Sequence, residues 1–178
     1  MRPEPDRRPD PDALLAAQAK ASRARLKIFL GAAPGVGKTY EMLTQARRLL
    51  AEGKTGILAG IIETLGRAET EAQLGDLPLL PRLQIPYRGQ VLEEFDLEEA
   101  LTLRPSLILV DELAHSNAPG SRHARRWEDV AELLAAGIPV WTTLNVQHLE
   151  SLNDTVLRIT GIRVSLSLIH ISEPTRPY

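Results

Sequence analysis

A three-layer α/β domain built on a mainly parallel sheet is what this sequence predicts. Three observations carry that expectation. Short apolar runs alternate with stretches of helical period along the chain. One run, Leu26 to Leu30, stops at a glycine-containing loop that opens directly into a helix. Another, Leu107 to Val110, stops at the acidic pair Asp111-Glu112, as a buried strand does on reaching the sheet edge where ligands gather.

Taken in order, Ala13 to Arg25 is rich in Ala and Leu and is expected to be a helix or a helical lead-in. Leu26-Lys27-Ile28-Phe29-Leu30 has the look of a buried strand. From Thr39 the period turns helical through Leu50 and stops near Gly53. A second apolar run, Gly56 to Ile62, follows at once. Strand, loop, helix and strand together imply a parallel pair with a right-handed crossover. Asp96 with Glu99 makes a start resembling a capping box for a helix over Leu97 to Leu103. Leu107 to Val110 is a strand, and Trp127 to about Ala136 a helix closing at Gly137. Ile138 to Thr143 is a further strand with Pro139 near its start, because proline cannot donate to a ladder. A last helix is expected from about Gln147 to Arg158.

The 178 residues suggest one domain, long enough to bury a hydrophobic core. Hydrophobic residues make up 43% and charged residues 25%, with a net charge of -2, so bulk charge points to neither nucleic acid nor an anionic membrane. The absence of cysteine excludes disulfides, thiolate metal sites and a cysteine nucleophile, and fits a reducing cytosol. No run approaches the roughly 20 apolar residues needed to cross a bilayer. The first twelve residues are charged and proline-rich, unlike a signal peptide, and read as a disordered lead-in. Elsewhere there is no low-complexity segment and no internal repeat.

The chemistry concentrates in Ala32-Ala33-Pro34-Gly35-Val36-Gly37-Lys38-Thr39. A loop of this kind between strand and helix binds phosphate, because glycines let backbone N–H groups turn inward and the helix N-terminus adds its dipole. Lys38 would take the outer phosphates and the Thr39 hydroxyl would sit on magnesium. Ala33 to Thr39, with Tyr40 after them, are therefore the expected nucleotide contacts. The strict pattern places glycine at position 32, where this chain has Ala32; Gly31, Gly35 and Gly37 retain the flexibility. Asp111 is expected to hold magnesium, directly or through water, beside the nucleotide. Glu112 is placed to polarise an attacking water. The fold expected is thus P-loop NTPase-like, with ATP and Mg2+ as ligands.

Other signals leave alternatives open. Thr142, Thr143 and Asn145 close a strand and either orient a water or γ-phosphate or serve as turn and cap residues. Ala114 to Trp127 carries His115, Arg122, His123, Arg125 and Arg126; its arginines either reach a phosphate, in the same or a neighbouring subunit, or belong to a solvated loop. Glu63 and Arg67 either contact nucleotide or partner, or form a turn. Two histidines without cysteine are weak grounds for zinc. Ser116 and Ser121 lack the elbow and acid of a serine nucleophile.

Four stretches together resemble the KdpD family of potassium-responsive sensor histidine kinases: Gly31 to Thr39, Ile62-Glu63-Thr64-Leu65-Gly66-Arg67, Asp111 to His123, and Thr142 to Asp154. The resemblance is to the family's N-terminal cytoplasmic domain and runs from about Leu26 to Val164. One departure is Leu65, where the family usually has histidine in Glu-Thr-His-Gly-Arg. The resemblance implies an ATP-binding domain that modulates the balance of kinase and phosphatase activity controlling a potassium-uptake operon. It also implies full-length proteins that continue into a universal-stress-like domain, four membrane spans, a further cytoplasmic region and a kinase core, seated in the bacterial inner membrane. This chain carries no phosphoacceptor-histidine region and no kinase ATP-lid motif. The expected role is then regulatory, with at most weak ATPase activity; the response regulator would be met only through the kinase core. A free-standing P-loop ATPase or small-molecule phosphotransferase is the alternative, and a pure scaffold requires that no nucleotide bind.

The expected organisation is a disordered or helical lead-in over 1–24, the nucleotide-binding domain over 25–164, and a tail over 165–178. That tail, Ser165 to Tyr178, resembles translated sequencing-adapter read-through and is expected not to be native protein. Resequencing the source DNA across Val164 tests this: the same codons in the source overturn it.

Overall fold

The computed structural model describes residues 24–148. In chain order they form β1 (Leu26–Gly31), α1 (Lys38–Ala51), β2 (Ile57–Ile61), α2 (Ala68–Leu74), β3 (Leu83–Tyr87) and β4 (Gln90–Glu94). Then come α3 (Leu97–Leu103), β5 (Leu107–Val110), α4 (Arg126–Ala135), β6 (Val140–Asn145) and a 3-10 turn, Val146–His148. The strands β1, β6, β5 and β2 lie side by side in that order, while β3 and β4 form a separate sheet of two. Every pairing in the larger sheet is parallel and the smaller sheet is antiparallel. The expected α/β class with a mainly parallel sheet holds.

Residue alternation on β5 shows why the sheet is covered on both faces. Leu107 and Leu109 pack with Met42, Leu43 and Ala46 of α1. Ile108 and Val110 point the other way, into a core with Leu97 and Ala100 of α3 and Val130 and Leu133 of α4. All four residues of β5 are buried, each such side chain contributing about 1.5–3 kcal/mol.

One expectation about topology is corrected. The first two strands are parallel, but they are not a pair: β6 and β5 stand between them. The reason lies in α1, whose fully buried Met42, Leu43 and Ala46 cover Phe29 of β1, Leu107 and Leu109 of β5, and Ile57 and Ala59 of β2. A helix that spans the sheet lets its flanking strands sit at opposite sides. The strand β1 was expected to be buried, but only Phe29 in it is; Lys27 lies 4.2 Å from the centroid of the Trp141 ring and covers that flank.

The polar end of β6 is also shifted. The strand runs two residues later than its apolar content suggests, because backbone pairing with β1 carries Leu144 and Asn145 into the ladder opposite Leu30 and Gly31. Asp96 caps α3 as expected, its Oδ1 accepting from the Glu99 N–H at 3.0 Å. The expected helix over 13–25 falls mostly outside the described residues, where Ala24 and Arg25 are irregular. Only Gln147 and His148 of the last expected helix are described, and they belong to the 3-10 turn.

The hairpin and α2 have no counterpart in the sequence reading. Pro86 within β3 argues against a strand, and Arg88-Gly89 is an unusual turn pair, with φ of 49° and 80° as a two-residue hairpin turn demands. Phe95, just after β4, packs against Gly60: a Cβ there would lie 2.8 Å from the Phe95 ring and 2.9 Å from Ile108. Gly60 is what lets the hairpin seat on the main sheet.

Asp129 sits on the first turn of α4 with 3% exposure and accepts from Asn117 Nδ2 at 2.7 Å. Burial pushes its carboxyl up to about 6, against the Asn117 hydrogen bond and the charges of His123 and Arg126, with Glu94 adding to the push. Between the ordinary value of 3.8 and about 6 the folded chain holds a proton that the unfolded chain releases. Asp129 thus favours folding below that window, and the contribution is lost as pH rises through it. The stability of wild type relative to Asp129→Asn is expected to fall by roughly 2 kcal/mol from pH 4 to pH 7 in urea unfolding. A difference that does not vary with pH would contradict the assignment.

Candidate functional site

Because the four strands of the larger sheet run parallel, the segments that follow β1, β2, β5 and β6 gather at one edge. A cavity there is lined by Pro34, Gly35, Gly37, Lys38, Thr39 and Tyr40 from the first segment and start of α1, and by Glu63, Thr64, Leu65 and Arg67 after β2. Glu112, Ala114 and His115 after β5, Thr143, Leu144, Asn145 and His148 around the end of β6, and Thr70 of α2 complete the wall.

The loop between β1 and α1 takes its shape from three glycines. Gly35 and Gly37 have φ of 85° and 91°, a conformation that costs other residues heavily. Neither N–H donates to a backbone acceptor among the described residues. At Gly31 a Cβ would lie 2.5 Å from Val36 Cγ2 and 2.7 Å from the Lys38 stem, so a side chain there would displace both. Ala32 is exposed and its φ is not positive, which is why alanine is accommodated where the strict pattern has glycine. Ala33 and Val36 do not face the cavity. Ala33 offers its carbonyl to Lys38 Nζ at 3.0 Å, and Val36 closes over Gly31.

Lys38 Nζ also donates to Asn145 Oδ1 at 2.5 Å, joining the start of α1 to the end of β6. Burial lowers its pKa; Asp111 and Glu112 counter this and the nearby charge of Arg67 adds to it. Tyr40 is exposed, and its hydroxyl accepts from Gln73 Nε2 of α2 at 3.3 Å.

Asp111 stands behind the wall with 1% exposure. Its carboxylate accepts from the Thr39 hydroxyl at 3.0 Å, the Glu63 N–H at 3.1 Å, the Glu112 N–H at 3.1 Å and the Thr143 hydroxyl. Burial raises its pKa, and these four donors work against the rise. Glu112 follows with φ of 57°, a left-handed conformation unusual for this residue type. Its N–H also donates to Thr143 Oγ1 at 3.1 Å, and its side chain is on the cavity surface. Thr143 and Asn145 lie within β6 and line the cavity. Thr142 faces away, its hydroxyl buried without a partner.

The charged residues of the basic loop are engaged by groups of the chain itself. Arg122 pairs with Glu132 at 2.6 Å, His123 with Glu132 at 2.7 Å, and Arg125 Nη1 donates to Ser116 Oγ at 2.5 Å. Arg126 is 1% exposed; it pairs with Glu94 of β4 at 2.9 Å and donates to the Asp111 carbonyl at 3.2 Å. It supports the acidic residue from behind. His115 alone of this group lines the cavity, with Nε2 at 3.0 Å from Glu94 Oε1. Burial would raise the Glu94 pKa, but His115, the Ala118 N–H and Arg126 outweigh it and lower the value. Glu94 was invisible to sequence reasoning: a strand glutamate beside Glu93 carries no motif.

The family model described as KdpD, osmosensitive K+ channel His kinase sensor domain, matches residues 22–168. The chain belongs to this family. Sensor protein KdpD of Escherichia coli (strain K12) is 59% identical over 157 residues, which is 88% of this chain and 17% of that protein. Sensor protein KdpD of Mycobacterium tuberculosis (strain ATCC 25618 / H37Rv) is 51% identical over 140 residues, 79% of this chain and 16% of that protein. That of Clostridium acetobutylicum is 50% identical over 161 residues, 88% of this chain and 18% of that protein. The chain thus spans between 16% and 18% of the length of these KdpD relatives. Among the described residues no helix is long and apolar enough to cross a membrane.

Where the KdpD motif usually carries histidine, Leu65 is 67% exposed with φ of 52°; it stands on the cavity rim and no core contact depends on it. The Arg126–Glu94 pair is the opposite case, since removing Arg126 takes away the cation facing the buried Glu94 Oε2 and leaves it only the neighbours of its other oxygen. Arg126→Met is expected to cost about 3–5 kcal/mol in urea unfolding. The Glu94→Met/Arg126→Met double variant is expected to cost less than the sum of the single changes. Additive losses would show that the two side chains do not depend on each other.

Proposed function

We propose that this chain is a regulatory Mg2+-ATP-binding module of a KdpD sensor histidine kinase, with a P-loop NTPase-like fold. The observation that carries the reading is the convergence of Lys38, Thr39, Glu112 and Asn145 on one cavity, with the Thr39 hydroxyl 3.0 Å from the Asp111 carboxylate. The position of β6 between β1 and β5 supports it, because this strand delivers Thr143 and Asn145 between the loop and the acidic pair.

The residues fit the ligand. Two loop N–H groups have no backbone acceptor among the described residues and, with the start of the 14-residue helix α1, favour an anion. Lys38 gains an anionic partner in place of neutral oxygens. Thr39 and Asp111 are hard oxygen donors suited to magnesium, which keeps water and phosphate oxygens for the rest of its shell. Asp111, behind Thr39, acts through that hydroxyl or through water. A cation there would favour the carboxylate that burial disfavours. The metal supplies charge neutralisation of the phosphates; the chain's part is to bind and orient them. Ala33 and Val36 shape the loop, Tyr40 flanks the cavity, and Glu112 is positioned to orient water.

In this reading the kinase core, the membrane spans and the response regulator contact belong to the full-length protein of the bacterial inner membrane, and ATP occupancy here biases its kinase and phosphatase activities. Lys38→Ala is expected to weaken Mg2+-ATP binding at least about tenfold in calorimetric titration, with circular dichroism unchanged. A folded variant that keeps its affinity would sink the proposal. The exposed, left-handed Glu112 favours a second reading, a working P-loop ATPase or phosphotransferase. Turnover near ~1 s⁻¹ or faster, lost in Glu112→Gln, would select it.

A further inference from the structure

Arg67 is the arginine of this site that the function above does not use. It precedes α2 and lies against the loop: a Cβ on Gly35 would stand 3.0 Å from Arg67 Nη2 and 3.6 Å from both Cζ and Nη1. The guanidinium thus runs along the outer stretch of the loop, on the cavity that Lys38 also lines.

Among the described residues its side chain has no hydrogen-bond or ion-pair partner. Of the acids around it, Glu63 is engaged by Arg82 at 2.9 Å, Glu71 by the Thr64 hydroxyl at 3.2 Å and Asp111 by its four donors, while Glu112 shares the cavity without pairing with Arg67. The other arginines near the site are occupied as well, Arg82 by Glu63 and Arg126 by Glu94. Lys38 feels Arg67 as a like charge. Asp111 and Glu112 offset that repulsion at Lys38, and an anion entering between the two cations is attracted by both.

Its mounting is defined by the backbone. The Glu63 N–H is tied to Asp111 Oδ2 at 3.1 Å. Leu65 and Gly66 then turn left-handed, with φ of 52° and 68°, the Arg67 N–H donates to the Thr64 carbonyl at 3.1 Å, and the Arg67 carbonyl accepts from the Glu71 N–H at 2.9 Å. One short segment therefore starts on the buried carboxylate and ends with a free guanidinium over the loop.

We propose that Arg67 binds the terminal phosphate of the nucleoside triphosphate, as an arginine supplied in cis by the segment between β2 and α2. A planar fork matches two phosphate oxygens at once, and the turn conformation of Leu65 and Gly66 serves to present it. Arg67 then distinguishes triphosphate from diphosphate, and the 63–67 segment reports that difference to α2. The inference rests on the nucleotide-binding reading of the loop.

The test is calorimetric titration of Mg2+-ATP and Mg2+-ADP into wild type, Arg67→Ala, Arg67→Lys and Lys38→Ala. Arg67→Ala is expected to weaken ATP about tenfold or more and ADP less than about threefold, with partial recovery in Arg67→Lys. Arg67 is exposed, so its variants fold, and Arg67→Gln serves as a second neutral replacement. Unchanged ATP affinity in Arg67→Ala, or equal losses of ATP and ADP, overturns the inference while loss in Lys38→Ala leaves the nucleotide site standing. Wild type that binds neither nucleotide overturns both.

Discussion

The buried carboxylate of Asp111 is the constraint around which the rest of this structure is arranged. A carboxylate taken out of water costs several kcal/mol unless donors replace the lost solvent. Here the donors come from four places in the sequence: Thr39 at the start of α1, Glu63 after β2, Glu112 beside it, and Thr143 within β6. Satisfying that one group requires the segments after β2 and β5, the end of β6 and the start of the first helix to meet at one edge. The same meeting brings Lys38 to Asn145.

A second buried charge supports the first. Arg126 joins Glu94 of the hairpin to the Asp111 carbonyl, and Glu94 in turn accepts from His115 and the Ala118 N–H. The small antiparallel sheet is therefore held to the site's acidic segment by hydrogen-bonded charge, and to the main sheet by Phe95 over Gly60. A group held this way acts on the position of Asp111, whatever the cavity contains.

The parts of the fold that were legible in the sequence are those with a strong local signal. The continuous apolar run of β5, the glycine after α4 and the Asp96 cap each have a cause within a few residues. The hairpin was not legible, because Pro86 and an Arg-Gly turn mask it, and its stability comes from Phe95, Glu94 and their distant partners. In the candidate site, Lys38, Thr39, Asp111 and Glu112 were legible from their place between strand and helix or at a strand end. Glu94 and the inward role of Arg126 were not, since a charged residue on a strand or helix start ordinarily faces water.

By itself the sequence determined an α/β class, the positions of its long apolar elements, the loop at 32–39 and the acidic pair, because each is written in contiguous residues. Only the tertiary structure decided the strand order β1-β6-β5-β2, the burial of Arg126, and the approach of Arg67 to Gly35. Strand order depends on which face of α1 spans the sheet, and charge burial on which distant partners arrive. Those are contacts between residues far apart in the chain, and local pattern carries no record of them.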